Sequence, residues 1–66
     1  YSMNTAFVYK YTTISGEKKA GIVICKEMWQ VIDYITQMEK MFIPEISVSR
    51  ATQKEVEMYE PVRIDK

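Results

Sequence analysis

Histidine is absent from this chain, and cysteine occurs once, as Cys25. A single cysteine cannot form an internal disulfide, and without histidine a zinc site loses most of its usual ligands. Histidine is also the commonest acid–base group at neutral pH, so its absence disfavours general acid–base catalysis. The composition therefore predicts a chain that binds no metal or cofactor and is not an enzyme.

Cys25 leaves one enzymatic alternative open. It lies where a strand is expected to give way to a helix, beside Lys26. A thiol near a helix N-terminus and a basic neighbour becomes a nucleophile if its pKa is lowered. A buried, unreactive cysteine at the end of an apolar strand is the simpler interpretation, and we favour it.

Long hydrophobic runs and an excess of either charge are also missing. No run approaches the roughly 18 residues that a membrane span needs, and no signal-peptide pattern is present, so we expect a cytoplasmic protein with no membrane partner. The formal net charge is zero, which disfavours a general polyanion binder. Residues 1–26 carry four bases and one acid and residues 27–66 five bases and eight acids, a polarity that can orient a partner.

The first part of the sequence predicts a β-hairpin. Residues 5–14 are dense in β-branched and aromatic side chains, which favours a strand. Residues 20–25 form an apolar run that predicts a second strand with apolar cover on both faces. The turn around Gly16 joins the two strands. The two glycines of the chain match no phosphate-binding loop.

Residues 28–42 predict one amphipathic helix. It begins near Glu27, without a Ser, Thr, Asp or Asn cap, and Pro44 requires it to stop by Ile43. Its apolar arc spans roughly half the circumference, more than so short a chain is expected to cover by itself. Trp29 lies off the arc. The arc consists of Met28, Val31, Ile32, Ile35, Met38 and Phe42, widened by Tyr34 and Met41.

The remainder of the chain permits two interpretations. Residues 45–49 alternate polar and apolar and predict a third strand with Ile46 and Val48 inward. Thr52 and Glu55 match a capping box that would start a short helix. A longer period-two pattern opposes this, because four apolar residues occupy even positions, namely Val56, Met58, Val62 and Ile64. We therefore predict a fourth strand over residues 54–60, paired to the third.

The predicted order is β-β-α-β-β, a single α+β domain over residues 1–66. An antiparallel sheet of three to four strands carries one amphipathic helix packed on one face. Pro61 ends the fourth strand or marks an edge, and residues 61–66 continue as an extended tail. Tyr1 and Ser2 precede Met3 and are interpreted as an expression remnant.

The leading functional hypothesis is a small non-enzymatic protein–protein interaction module that self-associates. A two-fold dimer through an uncovered sheet face or an open sheet edge is favoured. The small size suits a regulator or inhibitor of the kind that phages or mobile elements encode. Aromatic side chains dominate interface energetics, and methionine adapts to binding surfaces. The candidate partner-binding residues are Phe7, Tyr9, Tyr11, Trp29, Tyr34, Met58 and Tyr59.

Single-stranded nucleic-acid binding is the alternative function. Three aromatic residues alternate along the first strand with Lys10 among them, and residues 18–19 add two lysines at the hairpin tip. Sheet proteins that bind single strands stack bases on such rings beside a basic groove. The favoured interpretation is that the rings face the helix as core, given the zero net charge.

Overall fold

The computed structural model describes residues 4–64. The predicted α+β class with one main helix is confirmed. Two predictions concern residues outside this range: Tyr1 and Ser2 as an expression remnant, and residues 65–66 as the end of the extended tail. In chain order the elements are β1 (Thr5–Thr12), β2 (Lys18–Cys25), α1 (Met28–Glu39), β3 (Ile46–Arg50), α2 (Gln53–Met58) and β4 (Pro61–Arg63).

The four strands form one sheet in the order β3-β1-β2-β4. β1 and β2 pair antiparallel as the predicted hairpin, which turns where Gly16 adopts a φ of 89° and the Thr13 N–H donates to the Glu17 carbonyl oxygen at 2.8 Å. β3 pairs antiparallel with β1 on its other side. β4 pairs with β2 in parallel. The sheet is therefore mixed, whereas a wholly antiparallel sheet was expected.

Residues 54–60, predicted as a strand paired to the third, are mostly helical, and that prediction is wrong. α2 begins after Thr52, whose Oγ1 accepts from the Glu55 N–H at 3.2 Å while Glu55 Oε1 accepts from the Thr52 N–H at 2.9 Å. This reciprocal pair satisfies N–H groups that a helix start otherwise leaves unpaired. The fourth strand begins instead at Pro61, at the sheet edge where proline is tolerated.

The main core lies between α1 and the sheet. Ile46 and Val48, predicted to point inward, pack half-buried against it. The Tyr9 ring lies over Gly21, where a Cβ would come within 2.6 Å of the Tyr9 hydroxyl oxygen, so this position requires glycine. Side chains two apart along a strand share a face, which is why β1 supplies alternate residues. The buried core residues are Phe7, Tyr9, Tyr11, Val23, Cys25, Val31, Ile35 and Ile43.

Two crossover connections cover opposite faces of the sheet. β2, β3 and β4 run in one direction and β1 in the other. α1 links β2 to β3, and the connection through α2 returns across the sheet from β3 to β4. Because such crossovers are right-handed, the return path lies on the face opposite to α1. Val8 and Ile22 point to this second face and are buried. The expectation of apolar cover on both faces of the second strand therefore holds.

α1 buries a narrower stripe than the sequence predicted. Val31 and Ile35 are its buried residues. A helix of 12 residues rests on the sheet along one line of contact, so the sides of its apolar arc stay uncovered. The expectation that the arc exceeds what the chain can cover is confirmed. The members of the predicted stripe that remain exposed are Met28, Ile32, Met38 and Phe42.

Candidate functional site

The three aromatic rings of β1 lie in the core and not on the surface. Phe7, Tyr9 and Tyr11 are 6%, 8% and 5% exposed, on the sheet face that α1 covers. Tyr9 and Tyr11 stack with their ring centroids 5.9 Å apart. A base needs an accessible ring face to stack on. In this conformation the rings serve as core, and neither a base nor a protein partner can reach them.

The other four candidate binding residues do not form one surface. Trp29 is 63% exposed on α1, and it lines a small hollow together with the half-buried Tyr34 and with Ile64. Met58 is 69% exposed at the end of α2 and is followed by the half-buried Tyr59. Because α1 and α2 lie on opposite faces, the structure groups Trp29 with Tyr34 and separates both from the α2 pair.

A polar cluster attaches the C-terminal end of α1 to the hairpin. Glu39 accepts a hydrogen bond from the Tyr11 hydroxyl and pairs with Lys19, whose Nζ lies 3.0 Å from Glu39 Oε2. The hydrogen bonds from Tyr11 and then Lys19 hold the pKa of Glu39 below its usual value. Burial and the bond to Glu39 raise the pKa of Tyr11. The charges compensate one another within the cluster, which favours a structural role.

An open groove of about 940 Å³ lies at the hairpin end of the sheet. The β1–β2 turn and the segment that precedes β3 line it, and Lys10, Lys18 and Lys19 contribute positive charge. Lys19 is already paired with Glu39. A lysine ammonium is a flexible, strongly hydrated point charge, so these side chains do not by themselves define a ligand geometry.

Cys25 is buried, and its Sγ donates to the Glu27 carbonyl oxygen at 3.2 Å. A buried structural cysteine is unreactive, which agrees with the simpler interpretation of this residue. Within residues 4–64, no group of three acidic or cysteine side chains lies close enough together to bind a metal ion. Cys25 and the Glu39 cluster thus contribute contacts within the fold.

β3 leaves its outer edge open, since within residues 4–64 it pairs with β1 alone. In an antiparallel ladder, alternate residue pairs exchange both backbone hydrogen bonds. The bond from the Ala51 N–H to the Ala6 carbonyl oxygen identifies this pair as a bonded one. Bonded pairs recur at every second residue, and the residues between them direct their backbone groups away from β1. On β3 these intervening residues are Ile46, Val48 and Arg50, whose N–H and C=O groups therefore point outward. We call these outward groups the β3 edge.

Two apolar residues of α1 lie on the side of the helix that faces β3. Ile64, which follows β4, lines the same hollow as Gln30 and Tyr34, so that side of α1 faces β4. Met28 and Ile32 project from the other side of the helix, given about 100° per residue, and therefore face β3. Both are exposed, Met28 by 45% and Ile32 by 38%. We call this pair the α1 flank; with the β3 edge it forms the candidate site.

The other edge of the sheet is protected against pairing. β4 is three residues long and begins with Pro61, which has no N–H to offer. Short edge strands and proline are common devices against edge-to-edge association. β3 spans five residues without a proline. Of the two edges, β3 is the one to which another strand can add.

Sequence reasoning proposed an open sheet edge but did not assign it to β3, because the candidate residues were chosen as aromatic and methionine side chains, whereas the β3 edge consists of backbone groups. The alternation in residues 45–49 predicted a half-buried strand but not its place in the sheet. Met28 and Ile32 were counted within the apolar arc of the helix, but the arc was not related to a particular strand of the sheet. Pro61 was a partial signal for the other edge only, since proline occurs on edge strands but also at the first residue of a strand.

Comparison with protein-family models, curated proteins and solved structures found no match to this chain. Neither helix within residues 4–64 is long and apolar enough to cross a membrane. The β3 edge and the α1 flank therefore have to be interpreted through their own chemistry.

Proposed function

We propose that this chain is a small protein–protein interaction module that acts through self-association into a two-fold dimer. One observation carries the proposal: large apolar side chains on and just after α1 stay exposed, although a chain this short needs its apolar residues to build a core. Extended apolar patches on a folded surface mark interaction sites. Short chains commonly complete their cores by oligomerising. The exposed residues that face β3 are Met28 and Ile32, the α1 flank; Trp29, Met38, Met41 and Phe42 are exposed as well but lie outside the proposed interface.

A binding role, and not catalysis, is supported by the state of the groups that could perform chemistry. Cys25 is buried, and Glu39 is held between Tyr11 and Lys19. Catalysis requires a nucleophile, base or acid that a substrate can reach in a concave site. The proposed module acts by occupying a protein surface, as small regulators and inhibitors do. A dimer presents every remaining exposed group twice.

Light scattering coupled to size exclusion at several concentrations tests this function. We expect the mass of two chains at high concentration and of one chain on dilution. Ile32→Glu introduces a charge into the α1 flank and should weaken association at least tenfold, because an unpaired charge is costly to bury at an interface. A chain that stays monomeric at every concentration would refute the proposal.

Met38→Glu is the matched control. Met38 lies on the same helix and is 44% exposed, but helical spacing places it on the side that faces β4. The same new charge there should leave the dimer intact. Circular dichroism of both variants verifies that α1 still forms.

A further inference from the structure

The β3 edge is complementary to itself. Ile46, Val48 and Arg50 each direct one N–H and one C=O outward, two residues apart along the strand. A second copy of β3 running antiparallel offers the same groups in reverse order. For the two strands to bond, the residues with outward groups on one strand must lie opposite those on the other. A two-fold axis that passes perpendicular to the sheet at Val48 places all three outward residues opposite outward residues of the second copy.

We infer that two copies of this chain pair through β3 in this register and form one continuous eight-stranded sheet. The inference rests on the proposed function and names the partner surface as the β3 edge of a second copy. Val48 pairs with the partner's Val48, and Ile46 pairs with the partner's Arg50 at both ends. All six outward groups of each strand are then hydrogen-bonded.

Neighbouring registers satisfy fewer groups. With the axis one residue earlier, Arg50 falls opposite the partner's Pro44, which has no N–H to donate. With the axis one residue later, Ile46 falls opposite the partner's Thr52. The Thr52 N–H already donates to Glu55 Oε1 at 2.9 Å within its own chain. Unpaired backbone groups in an interface are costly, so the register centred on Val48 is preferred.

The side chains of this register are compatible on both faces. On the face away from α1, Ser47 lies opposite the partner's Ser49 in the closely spaced type of pair, with Cα atoms about 4.5 Å apart. Hydroxyl groups at such positions form cross-strand hydrogen bonds. On the other face, Val48 meets the partner's Val48. The two α1 flanks also face each other across the axis, which removes Met28 and Ile32 from water.

The charges at the edge are compatible with this register. Arg50 is the only charged residue of β3, and the register sets the two Arg50 residues at opposite ends of the pairing. Four residues of strand separate them by about 14 Å, beyond the screening length of roughly 8 Å at physiological ionic strength. The two like charges therefore do not oppose this orientation.

Amide hydrogen exchange followed by NMR tests the register directly. In the monomer, the Ser47 and Ser49 N–H groups are bonded to β1, while those of Ile46, Val48 and Arg50 face solvent. Raising the concentration from the monomer range to the dimer range should slow exchange at the three even positions at least about tenfold. The two serine amides, already protected, should show a smaller change.

A pair of substitutions at Arg50 supplies the second test. Arg50→Pro removes an N–H that points away from β1, so the hydrogen bonds within the chain remain. Each dimer then loses two hydrogen bonds, and the association constant should fall at least about tenfold. Arg50→Ala removes the side chain but keeps the N–H, and it should associate much more strongly than Arg50→Pro.

The outcomes separate this inference from the function on which it rests. A chain that remains monomeric overturns both. A dimer in which the amides at positions 46, 48 and 50 exchange as fast as in the monomer uses another surface, which overturns the inference and leaves the proposed function standing. The inference is also overturned if amide exchange slows equally along β3, with no larger effect at positions 46, 48 and 50 than at the two serines. Should Arg50→Pro fail to fold, the exchange pattern of the unmodified chain still decides the question.

Discussion

Glu39 makes the stability of this chain depend on acidity. Its carboxylate accepts from Tyr11 and pairs with Lys19, and these bonds hold its pKa below the ordinary 4.5. Because the folded-state pKa is the lower one, the stabilisation is present above pH 4.5 and is lost as the pH falls through the folded value. Between about pH 5 and pH 2, the free energy of unfolding should fall more for the wild type than for Glu39→Gln.

Urea denaturation at a series of pH values and one protein concentration measures this difference. Glu57→Gln is the matched control, because Glu57 is an exposed carboxylate on α2, outside the cluster. It should keep the acid dependence of the wild type. If Glu39→Gln retains the full loss of stability in acid, the cluster does not link proton binding to folding.

α1 starts with a capping arrangement built from residues that are not the usual caps. Gln30 Oε1 accepts from the backbone N–H groups of Lys26 and Glu27 at 3.1 and 2.8 Å, and the Glu27 side chain accepts from the backbone of Gln30. Gln30→Ala leaves these two N–H groups without that acceptor, so we expect the free energy of unfolding to fall by about 1 kcal/mol. Chemical denaturation measures the change.

Gln37→Ala, the same substitution on the same helix, provides the comparison. The Gln37 amide donates to Asp33 Oδ2 at 2.8 Å on an exposed face. A side-chain pair of this kind contributes about 0.3 kcal/mol. Equal losses in the two variants would show that the arrangement at Gln30 does not act as a cap.

At the level of elements, the sequence predicted β1, β2, α1 and β3 and failed at the segment between β3 and β4. The first four elements bury a face, and burial leaves a periodic pattern that can be recognised. α2 has six residues and no buried side chain, so no such pattern exists for it. Val56 and Met58 lie at even positions and so gave the alternation that is typical of a strand. The hydrogen bonds between Thr52 and Glu55 determine instead that a helix starts here.

At the level of the whole molecule, the candidate site depends on strand order, which local patterns do not specify. Residues 45–49 have the alternation of a half-buried strand whether it lies at the centre of a sheet or at its edge. The direction in which each β3 backbone group points follows from the register with β1. Placing β3 at the edge also requires the crossovers through α1 and α2, which are contacts between distant parts of the chain. The site is a property of topology, while the exposed apolar arc of α1 was foreseeable.

Dimerisation of so small a chain should make its stability depend on concentration. A tenfold rise in concentration favours a folded dimer over two unfolded chains by about 1.4 kcal/mol, or about 0.7 kcal/mol per chain. For a domain of this size that corresponds to a rise in Tm of about 3 to 6 °C, measurable by circular dichroism across two decades of concentration. Arg50→Pro should show a flatter dependence because it loses hydrogen bonds made between copies. A Tm that does not change with concentration in the wild type would mean that folding is complete within one chain and that association adds no stability to it.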